Sequence, residues 1–525
     1  MNTNYKFLVV VIVLAVFGLA VFAYGTHSPV LLYGLIAFFP FVYLVNHREF
    51  TLMMIIAIYG STLTLPQMPF QMPMSFALSL MLVMMIYLGH IIDKKRVRWT
   101  IEKRWVVSLV LVMLFTAMMR GFGLRVLGSK TWGGGSYIIY IGCCLFFILA
   151  DEVVLDVSRW RRAVYALCLC SIVPVAAQAI FAFSGGRLWQ QFLFIAPDYQ
   201  MFQFEKDLES GSSMARLHVA NMAGQYFFLL GLLLMGGSTR HKKWMVISLA
   251  LSLIFAGISG NRIPLIYNTF LLFFFLSTNF KRDLISRFVN PYTIAILFCV
   301  VLLIMSASFL PPTFQRGLSW LPFVSVSSDV AYDAQATIEW RKMVWAEIFR
   351  QMPKYLLVGK GFAFTLTDLM TVTARSQGFS SPEVVLASHN YHQGVLHVIM
   401  DLGLPGLFCW SGLVITMGVR HWNIQKRIWT NPLLKHYHRV FYASFLAYVV
   451  AFFLISGGMN HVVTLLTWGV ILEGLIITDE KLPTMKTDLQ VEQGTTWKNI
   501  RSIPRPVEKA LPPVVDKPKL KYLRY

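Results

Sequence analysis

Long apolar runs follow one another along almost the whole chain, and no other feature constrains its fold as much. They lie near 7–24, 30–46, 51–65, 74–92, 105–119, 134–150, 161–183 and 215–236, then near 244–259, 262–279, 291–309, 395–419, 439–456 and 461–478. At about 15 to 24 residues each, they suit helices crossing a hydrocarbon layer of about 30 Å. In lipid an open strand would leave its backbone polar groups unsatisfied, so a helix is the economical way to cross. The expected fold is all-α: a polytopic transmembrane helical bundle of about 12 to 14 helices. Composition agrees, since 56% of the 525 residues are hydrophobic and only 14% are charged. The first run lacks a small-residue cleavage site and is followed at once by another, which predicts a retained helix rather than a signal peptide.

Charge then orients the bundle. With the N-terminus inside, "KKRVR" (94–98), "SRWRR" (158–162), "RHKK" (240–243), "FKRDLISR" (280–287) and "RHWNIQKR" (420–427) all fall on the cytoplasmic side. The tail, 479–525, falls there too, and its prolines and lysines read as a disordered segment near anionic membrane lipid. Much of the formal charge of +21 is thereby topology and membrane attraction, with no nucleic acid as partner. All six cysteines, Cys143, Cys144, Cys168, Cys170, Cys299 and Cys409, sit in or beside apolar runs and read as packing residues. Neither close pair has zinc-site spacing.

The expected organisation is N-terminal transmembrane helices over 1–209, central ones over 210–309, a large outer loop over 310–394, C-terminal helices over 395–478 and the tail. Within the loop, 337–353 places Ile338, Trp345, Ile348 and Phe349 on one helical face, with Glu339, Glu347 and Arg350 opposite. That pattern predicts an amphipathic helix on the membrane surface. "LLVGKGFAF" (356–364) follows, and Gly359 and Gly361 permit a tight turn or the close approach of a ligand.

"SHNYHQGVLHVIMDLGLPGLF" (388–408) leads from the loop into an apolar run. As a helix it would align His389, His392, Gln393, Leu396 and His397 on one face. Acidic or cysteine ligands that would complete a metal site are not adjacent, and interhelical hydrogen bonds by His392 and His397 are the alternative. His389 sits at the water boundary beside Asn390, where an imidazole can titrate near neutral pH. Three arginines, Arg216, Arg262 and Arg341, stand at membrane boundaries. Arg262 lies between two apolar runs, where a buried charge costs about 2.5 to 3.5 kcal/mol and calls for an anion.

From about 210 to 410 this order of features resembles the O-antigen ligase and polymerase superfamily, polytopic enzymes of bacterial surface-polysaccharide assembly. The resemblance is carried by "RLHVANMAGQYF", "SGNR", "EWRKMVWAEIFRQMPKYLLVGKGF" and the histidine-rich stretch; "HVANMAGQY" departs from the Asn-Pro-Asn-like run common in that family. It implies a glycosyltransferase of the bacterial inner membrane whose active face is periplasmic. Such an enzyme moves a glycan from a polyprenyl diphosphate-linked donor to the hydroxyl of a glycan or lipid acceptor. By the same resemblance Arg216 and Arg262 hold the diphosphate and His389 is the base, with Arg341, Asn390, Gly359 and Gly361 contacting substrate. Inversion at the anomeric carbon is expected, without cofactor, and the absence of an Asp-x-Asp pair predicts independence of metal. Ligase and polymerase both remain open, as does a transport or scaffold component of polysaccharide export.

Overall fold

A computed structural model describes 47–61, 73–93, 97–123, 133–183, 219–236, 242–278, 305–319, 324–374, 382–389, 391–454 and 457–500, with Leu217 and Leu321. These residues form helices α1 (Arg48–Tyr59), α2 (Met74–Asp93), α3 (Ile101–Arg120), α4 (Gly135–Leu149), α5 (Val157–Cys170), α6 (Ile172–Phe183), α7 (Ala220–Leu234), α8 (Lys242–Ile258) and α9 (Ile263–Ser277). Next in the chain come α10 (Pro312–Leu318), α11 (Ser328–Gln351), α12 (Leu366–Ala374) and α13 (Pro382–Ala387), and α14 (Gly394–Gln425), α15 (Pro432–Leu454) and α16 (Met459–Ile500) follow. No strand occurs among the described residues. The apolar runs near 7–24 and 30–46, and most of the run near 291–309, lie outside them.

Among the described residues, six stretches are helices long and apolar enough to cross a membrane: Met74–Asp93, Gly135–Glu152, Val157–Ile180, Gly394–Gln425, Pro432–Leu454 and His461–Leu482. Ala220–Leu234 and Ile263–Ser277 are apolar but shorter. The bundle turns large apolar side chains outward, among them Met84, Leu111, Met118, Phe273, Phe408 and Ile415. It buries Thr51, Gln178, Ser252, Asn268 and Ser444. In water that distribution would be costly; in lipid it is the expected one, because tails solvate leucine as well as a core does.

Small residues let the helices approach. Gly224 of α7 lies against the backbone of Ala256 in α8, and Ser252 and Ser248 donate to the carbonyls of Gly224 and Phe227, each at 2.6 Å. Close backbone contact with short polar bonds is the usual adhesive between helices where the hydrophobic effect is weak. Elsewhere aromatic rings fill the space: Trp468 of α16 meets Tyr59, Tyr226, Phe441 and Tyr448 edge-on.

The two ends of the bundle differ. One carries buried ion pairs: Lys103 with Asp151 at 2.8 Å, Arg420 with Glu102 at 2.9 Å and Glu473 at 2.8 Å, and Arg427 with Asp479 at 3.2 Å. Arg420 and Arg427 belong to the basic segment 420–427. At the other end the α8–α9 turn meets Arg316, and the C-terminus of α3 and the N-terminal half of α14 meet 356–361.

Two expectations change. The helix expected over 337–353 is the longer α11, and its buried stripe is Val330, Ala334, Val344 and Ile348, while Ile338 and Phe349 are exposed. The tail is helical at its start, since α16 runs to Ile500 instead of giving way to irregular chain at 479; its Glu, Lys, Leu and Gln residues are good helix formers. The chain divides into compact units Met1–Asp479 and Glu480–Tyr525. Residues 501–525 lie outside the described ones.

Candidate functional site

The histidine-rich stretch is not one helix. Residues 382–387 form α13, and α14 starts only at Gly394, where the Gln393 side chain accepts from the Leu396 N–H at 2.7 Å and caps it. Between them His389 and His392 both have φ of 56°, the only non-glycine residues with positive φ among those described. Left-handed backbone at a histidine is uncommon and costs about 1 to 2 kcal/mol. Its effect is to turn two imidazoles off the helical path. His389 points back at Asp401, and His392 packs edge-on against Trp340 of α11 with ring centroids 5.0 Å apart.

Asp401 is the centre of the first group. His389 Nδ1 lies 2.8 Å from its Oδ1, and His397 Nδ1, one turn earlier on α14, lies 3.8 Å from Oδ2. The Tyr391 backbone N–H donates to His397 Nε2 at 3.2 Å, which leaves the Nδ1 proton of a neutral His397 facing the carboxylate. The same logic puts the His389 proton on Nδ1 and its lone pair on Nε2, an atom that is buried with no hydrogen-bond partner among the described residues.

The segment 356–364 holds this carboxylate in place. Lys360 N–H donates to the Met400 carbonyl at 2.6 Å and Gly361 N–H to that of Asp401 at 3.0 Å. Leu404 N–H returns a bond to Leu356 O at 2.7 Å. These bonds cross a break in α14 at Gly403, whose φ of 73° and ψ of −174° suit glycine alone. A Cβ at Gly359 would overlap the Asp401 carbonyl, so the close approach this glycine permits is made by the protein's own backbone. Arg120, at the end of α3, clamps the far side by donating to Gly359 O at 3.0 Å and Val358 O at 3.1 Å. The Tyr137 hydroxyl accepts from Phe362 N–H at 3.2 Å.

A second group is cationic. Arg262 ends the α8–α9 turn, Arg316 comes from α10 and Arg341 from α11. Arg316 is paired: it meets Asp333 in an ion pair and donates to Gly260 O and Thr337 Oγ1, each at 3.1 Å. Arg341 Nε is buried with no hydrogen-bond partner among the described residues. Burial, followed by the charges of Arg316 and Arg341, pulls the Arg262 guanidinium below its usual pKa; burial and Arg316 do the same to Arg341. His392 falls to about 4, through burial first, then Arg341 and His397. Three guanidiniums with one nearby carboxylate leave net positive charge in a partly desolvated place, the condition under which an anion binds well.

No known family model matches the chain, and no curated protein does. The site stands on its geometry alone.

That geometry unites some of the expected residues. His389 joins the Asp401 group; Arg262 and Arg341 share the cationic group; Gly359 and Gly361 belong to the segment on Asp401. Arg216 and Asn390 lie outside the described residues. His392 meets Trp340 of α11 ring to ring, while His397, inside α14, accepts from the Tyr391 N–H and faces Asp401 of its own helix. Among the described residues no three His, Cys, Asp or Glu side chains converge as they would around a metal ion. Sequence reasoning missed Asp401, Arg316 and Arg120. Asp401 had a usable signal, being the only carboxylate in the apolar run 395–419. Arg316 and Arg120 had none.

Proposed function

We propose that the protein is a membrane glycosyltransferase of the O-antigen ligase and polymerase type, taking a glycan from a polyprenyl diphosphate carrier to an acceptor hydroxyl. The observation that carries this reading is the pairing of a carboxylate-held imidazole with an under-compensated arginine cluster, linked through His392 and Trp340 at one end of a membrane bundle. Arg262 and Arg341 would bind the diphosphate, with Arg316 adding positive potential from its pair with Asp333. Their pull would stabilise the charge that gathers on the leaving diphosphate as the bond from the anomeric carbon to phosphate oxygen breaks. The acceptor oxygen forms the new bond from the opposite face, and His389 Nε2 takes its proton while Asp401 stabilises the imidazolium. Donor and acceptor then balance as glycosylated acceptor, free polyprenyl diphosphate and one proton passed to solvent. The configuration inverts in a single displacement, and the active end faces the periplasm across a bacterial inner membrane.

Labelled lipid-linked glycan presented to the purified protein with and without EDTA tests the reading. Appearance of label on an acceptor, with release of polyprenyl diphosphate, is the expected result. Passage of the intact donor across a vesicle membrane without change of its covalent attachment would establish transport instead. Loss of transfer on chelation, restored by one divalent ion, would overturn the metal-free mechanism.

A further inference from the structure

A cavity of about 200 Å³ opens between α11, α12, α13 and the start of α14. Its polar wall is Gln351, Tyr355, Lys360, Asp368, Thr371 and Glu383. The wall is prearranged. Lys360 Nζ donates to Asp368 Oδ1 at 3.1 Å and to Leu386 O at 3.0 Å, and Asp368 Oδ2 accepts from Thr365 N–H at 3.0 Å and its hydroxyl at 2.8 Å. The cavity also shares two chain segments with the proposed base: Ala387 precedes Ser388 and His389, and Met400 precedes Asp401.

We infer that this cavity holds one neutral sugar ring of the acceptor glycan, a proposal that rests on the glycosyl-transfer reading. Carboxylates and a carboxamide can each bridge neighbouring hydroxyls, an ammonium donates to a ring or hydroxyl oxygen, and the flat ring of Tyr355 suits the C–H face of a pyranose. Lys360 is paired with Asp368 and Glu383 feels the charge of Arg350, so the charged lining is balanced locally and suits an uncharged ring. Position argues for acceptor over donor. Gln351 is ten residues beyond Arg341 on α11, about 15 Å at 1.5 Å per residue, so a sugar joined directly to a diphosphate at the arginines would not reach the cavity.

Saturation-transfer NMR on the detergent-solubilised full chain, with glucose, galactose, N-acetylglucosamine and glucuronate as probes, tests this without any need for turnover. At least one neutral sugar should receive saturation, and glucuronate should not. Thr371→Trp, monodisperse by size exclusion, should remove the signal by filling the cavity. Gln351→Leu, which keeps the volume but loses one hydrogen bond of about 1 kcal/mol, should weaken binding roughly fivefold. Silence from all three neutral sugars, or wild-type binding by both cavity variants, would overturn the proposal. Sugar binding in a protein that never transfers glycan would sink the transferase reading and with it the acceptor role. In an active protein the bound sugar should compete with the acceptor; competition with the lipid-linked donor would refute the acceptor assignment.

Discussion

Replacing Asp401 by asparagine keeps the shape of the side chain and removes its charge, which isolates what the carboxylate does for His389. In the wild type Asp401 Oδ1 accepts from His389 Nδ1 at 2.8 Å in a buried setting, and Oδ2 faces His397. When the imidazole takes the acceptor's proton, this bond becomes an ion pair, and asparagine cannot follow it. A hydrogen bond to a charged partner contributes about 1.5 to 3 kcal/mol. If that stabilisation belongs to the transition state, its loss slows transfer by about 10- to 200-fold. Asparagine can also present its NH₂ to Nδ1 and hold the wrong tautomer, which would deepen the loss. Donor binding at the arginines should change less than about threefold, since the substitution touches none of them. The assay is single-turnover transfer from labelled lipid-linked glycan, with donor binding measured separately on Asp401→Asn and with near-UV circular dichroism confirming the fold. Transfer within about threefold of wild type, or donor affinity lost along with turnover, would refute the base assignment and return Asp401 to a role in holding α14 together.

Other perturbations read the remaining parts. Pyrophosphate should raise the thermal midpoint of the wild type but not of Arg262→Ala/Arg341→Ala, and Arg262→Lys should recover little of the effect because it keeps the charge and loses the planar fork; equal shifts in all three would remove the anion site. Gly359→Ala drives a methyl group into the Asp401 carbonyl, and differential scanning fluorimetry should show a large destabilisation, about 3 kcal/mol in chemical denaturation. His392, held near 4 when folded against about 6.5 unfolded, contributes no pH dependence above 6.5. As pH falls from 6.5 to 4 the unfolded chain takes the proton first and stability drops, by up to roughly 3 kcal/mol, then levels off. His392→Gln should flatten that part of the wild-type profile in paired melts at pH 7.5 and 5; an unchanged slope would show that other groups set it. Single cysteines at Ser327 and Thr496, in a background lacking the six native cysteines, should label from outside and inside respectively in intact cells; the reverse pattern would invert the topology.

Much of the architecture is legible in the sequence because solvation by lipid acts on each segment separately. An apolar run of sufficient length must become a helix wherever its neighbours go, and the runs near 74–92 and 134–150 are found as α2 and α4 with ends displaced by one residue, while that near 439–456 is α15, which starts seven residues earlier at Pro432. Charge is again a local property, and within the basic segment 420–427 Arg420 reaches Glu102 and Glu473. Function is different, since it depends on which side chains converge. The importance of His389 could be suspected from its place at the water boundary beside Asn390, but its partner is twelve residues away across a broken turn, and two left-handed histidines bring them together where a helical wheel would not. Arg316 enters the cationic group through α10, and Arg120 secures the Asp401 strap from more than two hundred residues earlier. Periodicity records only how one segment meets its solvent; contacts between distant segments are chosen by packing, and only the folded chain contains them.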